Sequence, residues 1–336
     1  MSLRWRGRTA PWMHAATRAG LAFAAGAVLN LAFAPFGWWP AALFAPAVLF
    51  ALIRGLPPRR ALGAGGTFGL GLFGFGTYWL YTCLHVFGLV PVWLTLLLQA
   101  ALVAVMAAYA AALCYLANRF WLKSGATRDW LVLPALWLLL EWLRGWLFSG
   151  FPWLSLGYAF IDSPLAGWAP LFGVYGVTWA AAVCAAAINV LWTPPLTFSR
   201  RLAALGAVAA LFALGALLAR QNWTRPLGSP VSVAAVQGAV PQDQKWQLKN
   251  RALTLDRYVR LTGQAWGAGL IVWPESSLPA LSIELTDYLG ALKALGRAHG
   301  ADFAIGLDDY WPKSKQYFNG ILVLGESGDG WYYKRH

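Results

Sequence analysis

Four long stretches without a formal charge constrain this chain more than any other feature. None falls between Arg18 and Arg54, between Arg60 and Arg119, between Asp162 and Arg200, or between Arg201 and Arg220. A helix needs about 20 predominantly apolar residues to cross the hydrocarbon core of a bilayer, so stretches of this kind read as membrane spans, singly or in pairs. Dividing them at the breaks from Pro35 to Pro40 and from Gly88 to Pro91, and adding the segment from Trp130 to Phe148, predicts seven spans. They lie near 17–34, 38–53, 61–87, 91–117, 130–148, 166–192 and 202–219. Composition agrees: hydrophobic residues make up 59%, charged residues only 12%, and tryptophan alone numbers 21, far from the usage of a soluble domain.

A net charge of +13 would suit a nucleic-acid partner, but its placement excludes one. Up to Arg225 there are 15 Lys and Arg against 3 acids, whereas the remainder carries 11 against 10. The basic excess belongs to the apolar half, and within it to alternate connections: Arg4, Arg6 and Arg8; Arg54, Arg59 and Arg60; Arg119, Lys123 and Arg128; Arg200 and Arg201. Cytoplasmic loops carry such an excess, which predicts a cytoplasmic N-terminus and, after an odd number of spans, an external segment beyond Arg220. Arg4, Arg6 and Arg8 also resemble the basic start of a signal peptide, yet the first apolar run leads straight into a second one, which argues for a retained span.

After Arg220 the texture changes. The expected organisation is a transmembrane region over 1–220, a polar linker over 221–230 containing QNWTRPLGSP, and a further domain over 231–336. In that domain short β-rich runs alternate with helical ones. Strands are predicted at 231–237, 270–273, 303–307, 321–324 and 331–333, with helices over 250–266 and 283–299. This is an α/β pattern, in which loops at the carboxyl ends of parallel strands gather functional groups. The stretch GLIVWPESSLP (269–279) reads as a buried parallel strand ending in one acid, Glu275, and Lys334 follows another strand.

Other signals carry less. Gly69, Gly71 and Gly74 spell a dinucleotide-type glycine pattern, but inside an apolar helix-length run with no preceding strand; close helix packing through Gly65 and Gly69 is the expectation there. Cys83, Cys114 and Cys184 all fall in predicted spans and show no metal or disulfide spacing. Glu141 and Arg144 stand at i,i+3 on one helix face, which points either to mutual pairing or to lipid headgroups at the membrane face.

The segments NLAFAPF (30–36), EWLRGWLFSGFPWLSLGY (141–158), VQGAVPQDQKW (236–246), IVWPESSLP (271–279) and YYKRH (332–336) together resemble the apolipoprotein N-acyltransferases of bacterial inner membranes. The resemblance implies a polytopic α-helical membrane bundle followed by a partial α/β nitrilase-like (αββα) domain on the periplasmic side. It implies a Glu-Lys-Cys triad with Glu275 as general base and Lys334 stabilising the oxyanion, with Trp246 matching a tryptophan on a mobile arm near the substrate. Its chemistry is acyl transfer through a cysteine thioester, from a phospholipid to the N-terminal amine of a diacylated apolipoprotein, without a cofactor or metal. The sequence stops two residues after Lys334, before the nucleophile cysteine that the resemblance calls for. The expectation is therefore a C-terminally truncated chain, inactive by itself. A membrane-tethered nitrilase-type amidase and a non-enzymatic polytopic membrane protein are the alternative readings.

Overall fold

The computed structural model describes residues 14–121, 125–194 and 197–335. Arg4, Arg6, Arg8 and Lys123, which the charge reading used, lie outside the described residues, as does His336. The chain divides into two compact units, Met1–Thr224 and Arg225–His336.

The first unit is helical. Its main helices are α1 (Ala15–Leu29), α2 (Ala41–Leu52), α3 (Pro58–Gly76), α4 (Val92–Phe120), α5 (Leu133–Arg144), α6 (Ala169–Leu191) and α7 (Phe198–Leu218). Pro58 sits in the first turn of α3 and Pro91 immediately precedes α4, as suits a residue without an N–H, whereas Pro46 lies inside α2. Among the described residues, seven main helices thus lie where seven apolar runs were read, but four stretches are long and apolar enough to cross a membrane, namely Ala15–Ala32, Val92–Phe120, Pro164–Leu191 and Phe198–Leu218. The twelve residues of α2 reach only about 18 Å. Seven of the nineteen residues in α3 are glycine, which dilutes its hydropathy.

Those glycines serve contact. A Cβ on Gly69 would lie 2.5 Å from Ala107 Cα and one on Gly65 would lie 2.3 Å from the Ala110 carbonyl, both on α4. On its other side, Gly71 meets the Phe23 carbonyl of α1 just as closely, while Gly26 of α1 meets the Phe68 carbonyl. Where the surroundings are as apolar as the helices, packing at this range is what holds them together.

The connections sort into two ends. Arg54 after α2, Asp129 before α5 and Arg200 in the first turn of α7 line one cavity. Pro35 after α1, Phe75 and Tyr78 around the end of α3, and Trp153 and Tyr158 between α5 and α6 line another, wider groove. Successive helices therefore run in alternating directions between these ends.

The second unit is a five-stranded mixed sheet in the order β1 (Val233–Ala235), β2 (Leu270–Trp273), β3 (Asp302–Trp311), β4 (Gln316–Gly325) and β5 (Gly328–Tyr333). The first three strands are parallel, and β4 and β5 add as antiparallel hairpins. Two reversals leave β5 pointing the same way as β2, so their carboxyl ends share one edge of the sheet. Helices α8 (Leu248–Gly263) and α9 (Thr286–His299) contribute Tyr258, Leu289 and Leu292 to a core with Ile271, Trp273, Phe303 and Ile305. Gly300, at φ 64°, supplies the left-handed residue that ends α9. The expectation of a buried parallel strand at Leu270 to Trp273 agrees with β2, which pairs in parallel with β1 and β3. Ile271 and Trp273 are buried while Leu270 and Val272 are half-buried, because the core residues of the helices meet one face of the strand.

Candidate active site

Glu275 and Lys334, 59 positions apart in sequence, meet at the shared sheet edge: Lys334 Nζ donates to Glu275 Oε1 at 3.2 Å. They line a cleft of about 230 Å³ together with Trp273, Asn319 and Tyr332. Both side chains are more than half exposed. An ion pair so open to water contributes at most about 1 kcal/mol to stability, so folding gains little from this pair and its placement calls for another reason.

The loop bearing Glu275 is held from three sides. Pro274 ends the strand, and Ser276 takes φ 44°, a conformation that costs a non-glycine residue free energy unless its surroundings enforce it. Next to it, the Ser277 N–H and hydroxyl both donate to the Gly306 carbonyl of β3, at 2.8 and 2.9 Å. The Ser276 hydroxyl donates to Asp308 Oδ1 at 3.1 Å, and the Asn319 amide donates to both Asp308 Oδ1 and Ser276 Oγ, at 2.9 and 3.1 Å. The backbone of Asn319 also accepts from the Lys334 N–H at 2.9 Å. A single residue of β4 thus ties the acid's loop to the lysine's backbone.

A second cluster fixes the end of β5. Asp309 accepts from the hydroxyl of Ser282, from Trp311 Nε1 at 3.0 Å and from the Tyr333 hydroxyl at 2.7 Å. Burial pushes the Asp309 carboxyl up, but these bonds and one from the Tyr310 backbone outweigh it and hold the group below its ordinary value. Burial and the bonded carboxylate raise the Tyr333 phenol in turn.

Gly306, Asp308 and Asn319 escaped the sequence reading. A glycine inside a strand pattern marks close backbone approach, and this one does: a Cβ at Gly306 would lie 2.2 Å from the Pro274 carbonyl and 2.6 Å from Glu275 Cα. Gly306→Ala is expected to push the Glu275 loop off β3 and to destabilise the unit by about 1 to 3 kcal/mol. Chemical denaturation of the purified protein would check this, and an unchanged midpoint would contradict the contact.

Trp246 follows the short helix Gln242–Lys245; it is exposed, with the Lys245 ammonium 5.9 Å from its ring centre. Glu141 and Arg144 lie elsewhere, inside the helical unit. Both are buried, and no ion pair joins them. Glu141 accepts from Trp137 Nε1 at 3.0 Å, the Leu156 N–H at 2.9 Å and the Thr178 hydroxyl at 3.0 Å. Arg144 donates to the carbonyls of Phe151 and Trp153 and to Ser155 Oγ, and stacks over the Phe73 ring. The two are not joined by a direct ion pair, as mutual pairing would have required; each bonds to other groups instead. The two charges bond to the irregular backbone between α5 and α6.

A bundle of apolar helices and a mixed sheet bearing an acid–lysine pair define a membrane protein with a carbon-nitrogen hydrolase-type domain. Residues 232–336 match the carbon-nitrogen hydrolase family and residues 25–187 match the apolipoprotein N-acyltransferase N-terminal domain. Both segments are thus similar to parts of apolipoprotein N-acyltransferases. The chain is 40% identical over 321 residues to the apolipoprotein N-acyltransferase of Methylococcus capsulatus, covering 94% of this chain and 62% of that one. Identity to the Coxiella burnetii protein of that name is 39% over 317 residues (94% and 65%), and to that of Azotobacter vinelandii 40% over 323 residues (94% and 62%). The chain therefore spans somewhat over three fifths of the length of these curated relatives.

Proposed function

We propose that the full-length protein is a bacterial inner-membrane N-acyltransferase that moves an acyl chain from a phospholipid to the N-terminal amine of a diacylated apolipoprotein. The observation that carries this reading is the Glu275–Lys334 pair, placed in a carbon-nitrogen hydrolase domain whose partner segment matches the acyltransferase N-terminal domain. Cys83, Cys114 and Cys184 all belong to the helical unit. The nucleophile in this proposal is a cysteine in the part of the relatives' length that this chain does not span.

In the first half-reaction the Glu275 carboxylate takes the thiol proton and the thiolate attacks the ester carbonyl of the phospholipid. The Lys334 ammonium faces the oxyanion of the tetrahedral intermediate, and the lysophospholipid leaves with the proton returned by Glu275. In the second, the lipoprotein amine attacks the thioester, gives its proton to Glu275, and the amide forms as the thiol is released. Full-length protein in detergent, given phospholipid alone, is expected to accumulate a hydroxylamine-sensitive acyl-enzyme, and to discharge it on a diacylated lipopeptide. Hydrolysis of small amides with no acyl-enzyme from phospholipid would favour the amidase reading instead.

Sidedness belongs to this proposal too. Seven traversals would put the second unit on the periplasmic side if the N-terminus is cytoplasmic; four would leave both on one side. The gathering of Arg54, Asp129 and Arg200 at one end supports seven. A single cysteine at Ser229, in a background without the native three, is expected to react with a membrane-impermeant thiol reagent on cells with a permeabilised outer membrane. Protection at Ser229, with labelling only after lysis, would reverse the assignment.

A further inference from the structure

Two consecutive aspartates of β3 brace the Glu275–Lys334 pair from opposite faces of the sheet, because neighbouring residues of a strand point to opposite sides. Asp308 joins Ser276 and Asn319 on one face. On the other, Asp309 accepts from the hydroxyl of Ser282, which opens the helical turn following the Glu275 loop. It also accepts from Trp311 Nε1 at 3.0 Å and from the Tyr333 hydroxyl at 2.7 Å. Tyr333 immediately precedes Lys334 and forms the last register pair of β5, opposite Gly320.

Stability alone does not account for this carboxylate. Asp309 is 8% exposed, its donors are neutral, and among the described residues no cation pairs with it. A buried charge held in this way costs free energy that an apolar group of the same shape would not. What the carboxylate provides is a link between the segment that follows the acid and the residue that precedes the lysine. Lys334 needs such a link. It lies beyond the last register pair of β5, and its flexible stem ends in a mostly exposed ammonium with many rotamers open to it. Tyr333 is rigid by comparison, its ring stacked on Trp331 at 5.4 Å and set edge-on to Trp311 at 5.6 Å. The hydroxyl bond and the ring contacts together fix the direction in which β5 delivers Lys334.

We propose that Asp309, acting through Tyr333, is a positioning residue for acyl transfer: it sets the place of the Lys334 ammonium beside Glu275, where the oxyanion forms. The role rests on the acyl-transfer reading. In the full-length protein, Tyr333→Phe keeps the ring and removes the hydroxyl. Acyl-enzyme formation from phospholipid is expected to fall roughly tenfold, short of the roughly hundredfold that an ångström of misplacement can cost. The phospholipid concentration for half-maximal rate should change little. Asp309→Asn is expected to slow the same step to a similar degree, and Tyr333→Phe keeps the test open if Asp309→Asn does not fold.

Dependence on the lysine separates positioning from a general loosening of the domain. In a Lys334→Met background, Tyr333→Phe should slow the reaction no further, since residues that act as one unit are not additive. An equal loss in that background overturns the proposal, as does a parental rate for folded Tyr333→Phe protein. A crystal structure of the full-length Tyr333→Phe variant supplies a readout that needs no reaction. Lys334 Nζ is expected to have left its 3.2 Å contact with Glu275 Oε1; a contact kept in place overturns the proposal as well. If the parental protein forms no acyl-enzyme from phospholipid, the acyl-transfer reading fails by itself, and that structure still decides whether Asp309 and Tyr333 position the lysine.

Discussion

Glu275→Gln in the full-length protein is expected to slow acyl-enzyme formation by a factor on the order of 10² to 10⁴, the usual worth of a positioned general base. The amide keeps the size of the carboxylate and can still accept from Lys334 Nζ, now 3.2 Å away, but it no longer takes a proton from the thiol. Stability should barely respond. Glu275 is exposed, its pair with Lys334 is open to solvent, and its loop is held by Ser276, Ser277 and Gly306 rather than by the carboxylate. Glu284 provides the comparison within the same unit. It accepts from the Leu281 N–H at 2.9 Å and pairs with Arg251 at 3.5 Å, a local cap at the start of a short helical turn. Glu284→Gln is expected to cost at most about 1 kcal/mol of stability and little activity. A folded Glu275→Gln protein that acylated itself at the parental rate would return Glu275 to a surface carboxylate at a strand end.

The acid and the lysine were legible before any fold was known, but the reason they meet was not. Sequence alone gave the bounds of β2, 270–273, as the structure has them, because an apolar run closed by Pro274 marks out a strand. It shortened β3 and β4 to their apolar centres, 303–307 and 321–324, whereas the strands run from Asp302 to Trp311 and from Gln316 to Gly325. The additional residues, among them Asp308, Asp309 and Asn319, are polar and break the hydrophobic pattern. Their backbones still continue the ladder, and their side chains satisfy one another or the Glu275 loop. Polar residues at a strand end therefore looked like loop when they were the frame of the cleft.

The membrane half shows the same limit in another form. Spacing put Glu141 and Arg144 on one helix face correctly, and mutual attraction was the natural inference. The partners that matter, the Leu156 N–H and the carbonyls of Phe151 and Trp153, are backbone groups, and these carry no signature in the sequence. A backbone group buried in the protein needs a partner there, and a side chain can supply it. The charges in EWLRGWLFSGFPWLSLGY (141–158) are thus explained by the backbone that follows them in the same motif.

Lys334→Met should produce a loss comparable to that at the acid, by a different route. An ammonium aimed at a developing oxyanion is worth roughly 3 to 4 kcal/mol of transition-state stabilisation, so both half-reactions are expected to fall about a hundred- to a thousandfold. Methionine retains most of the aliphatic stem, and the Lys334 N–H still reaches the Asn319 carbonyl, so β5 and the Asp309–Tyr333 clamp beyond it have no cause to move. Two measurements separate this role from a structural one. The midpoint of unfolding should change by no more than the ~1 kcal/mol that an exposed pair supplies, and binding of phospholipid, read as the concentration for half-maximal acylation, should change far less than the rate. Lys334→Arg restores the charge with different reach and a planar head, and should recover part of the rate but not all of it. If Lys334→Met instead unfolded the domain at parental specific rate per folded molecule, the lysine would be a strand-end tether for Glu275. The oxyanion would then have to be stabilised by another group.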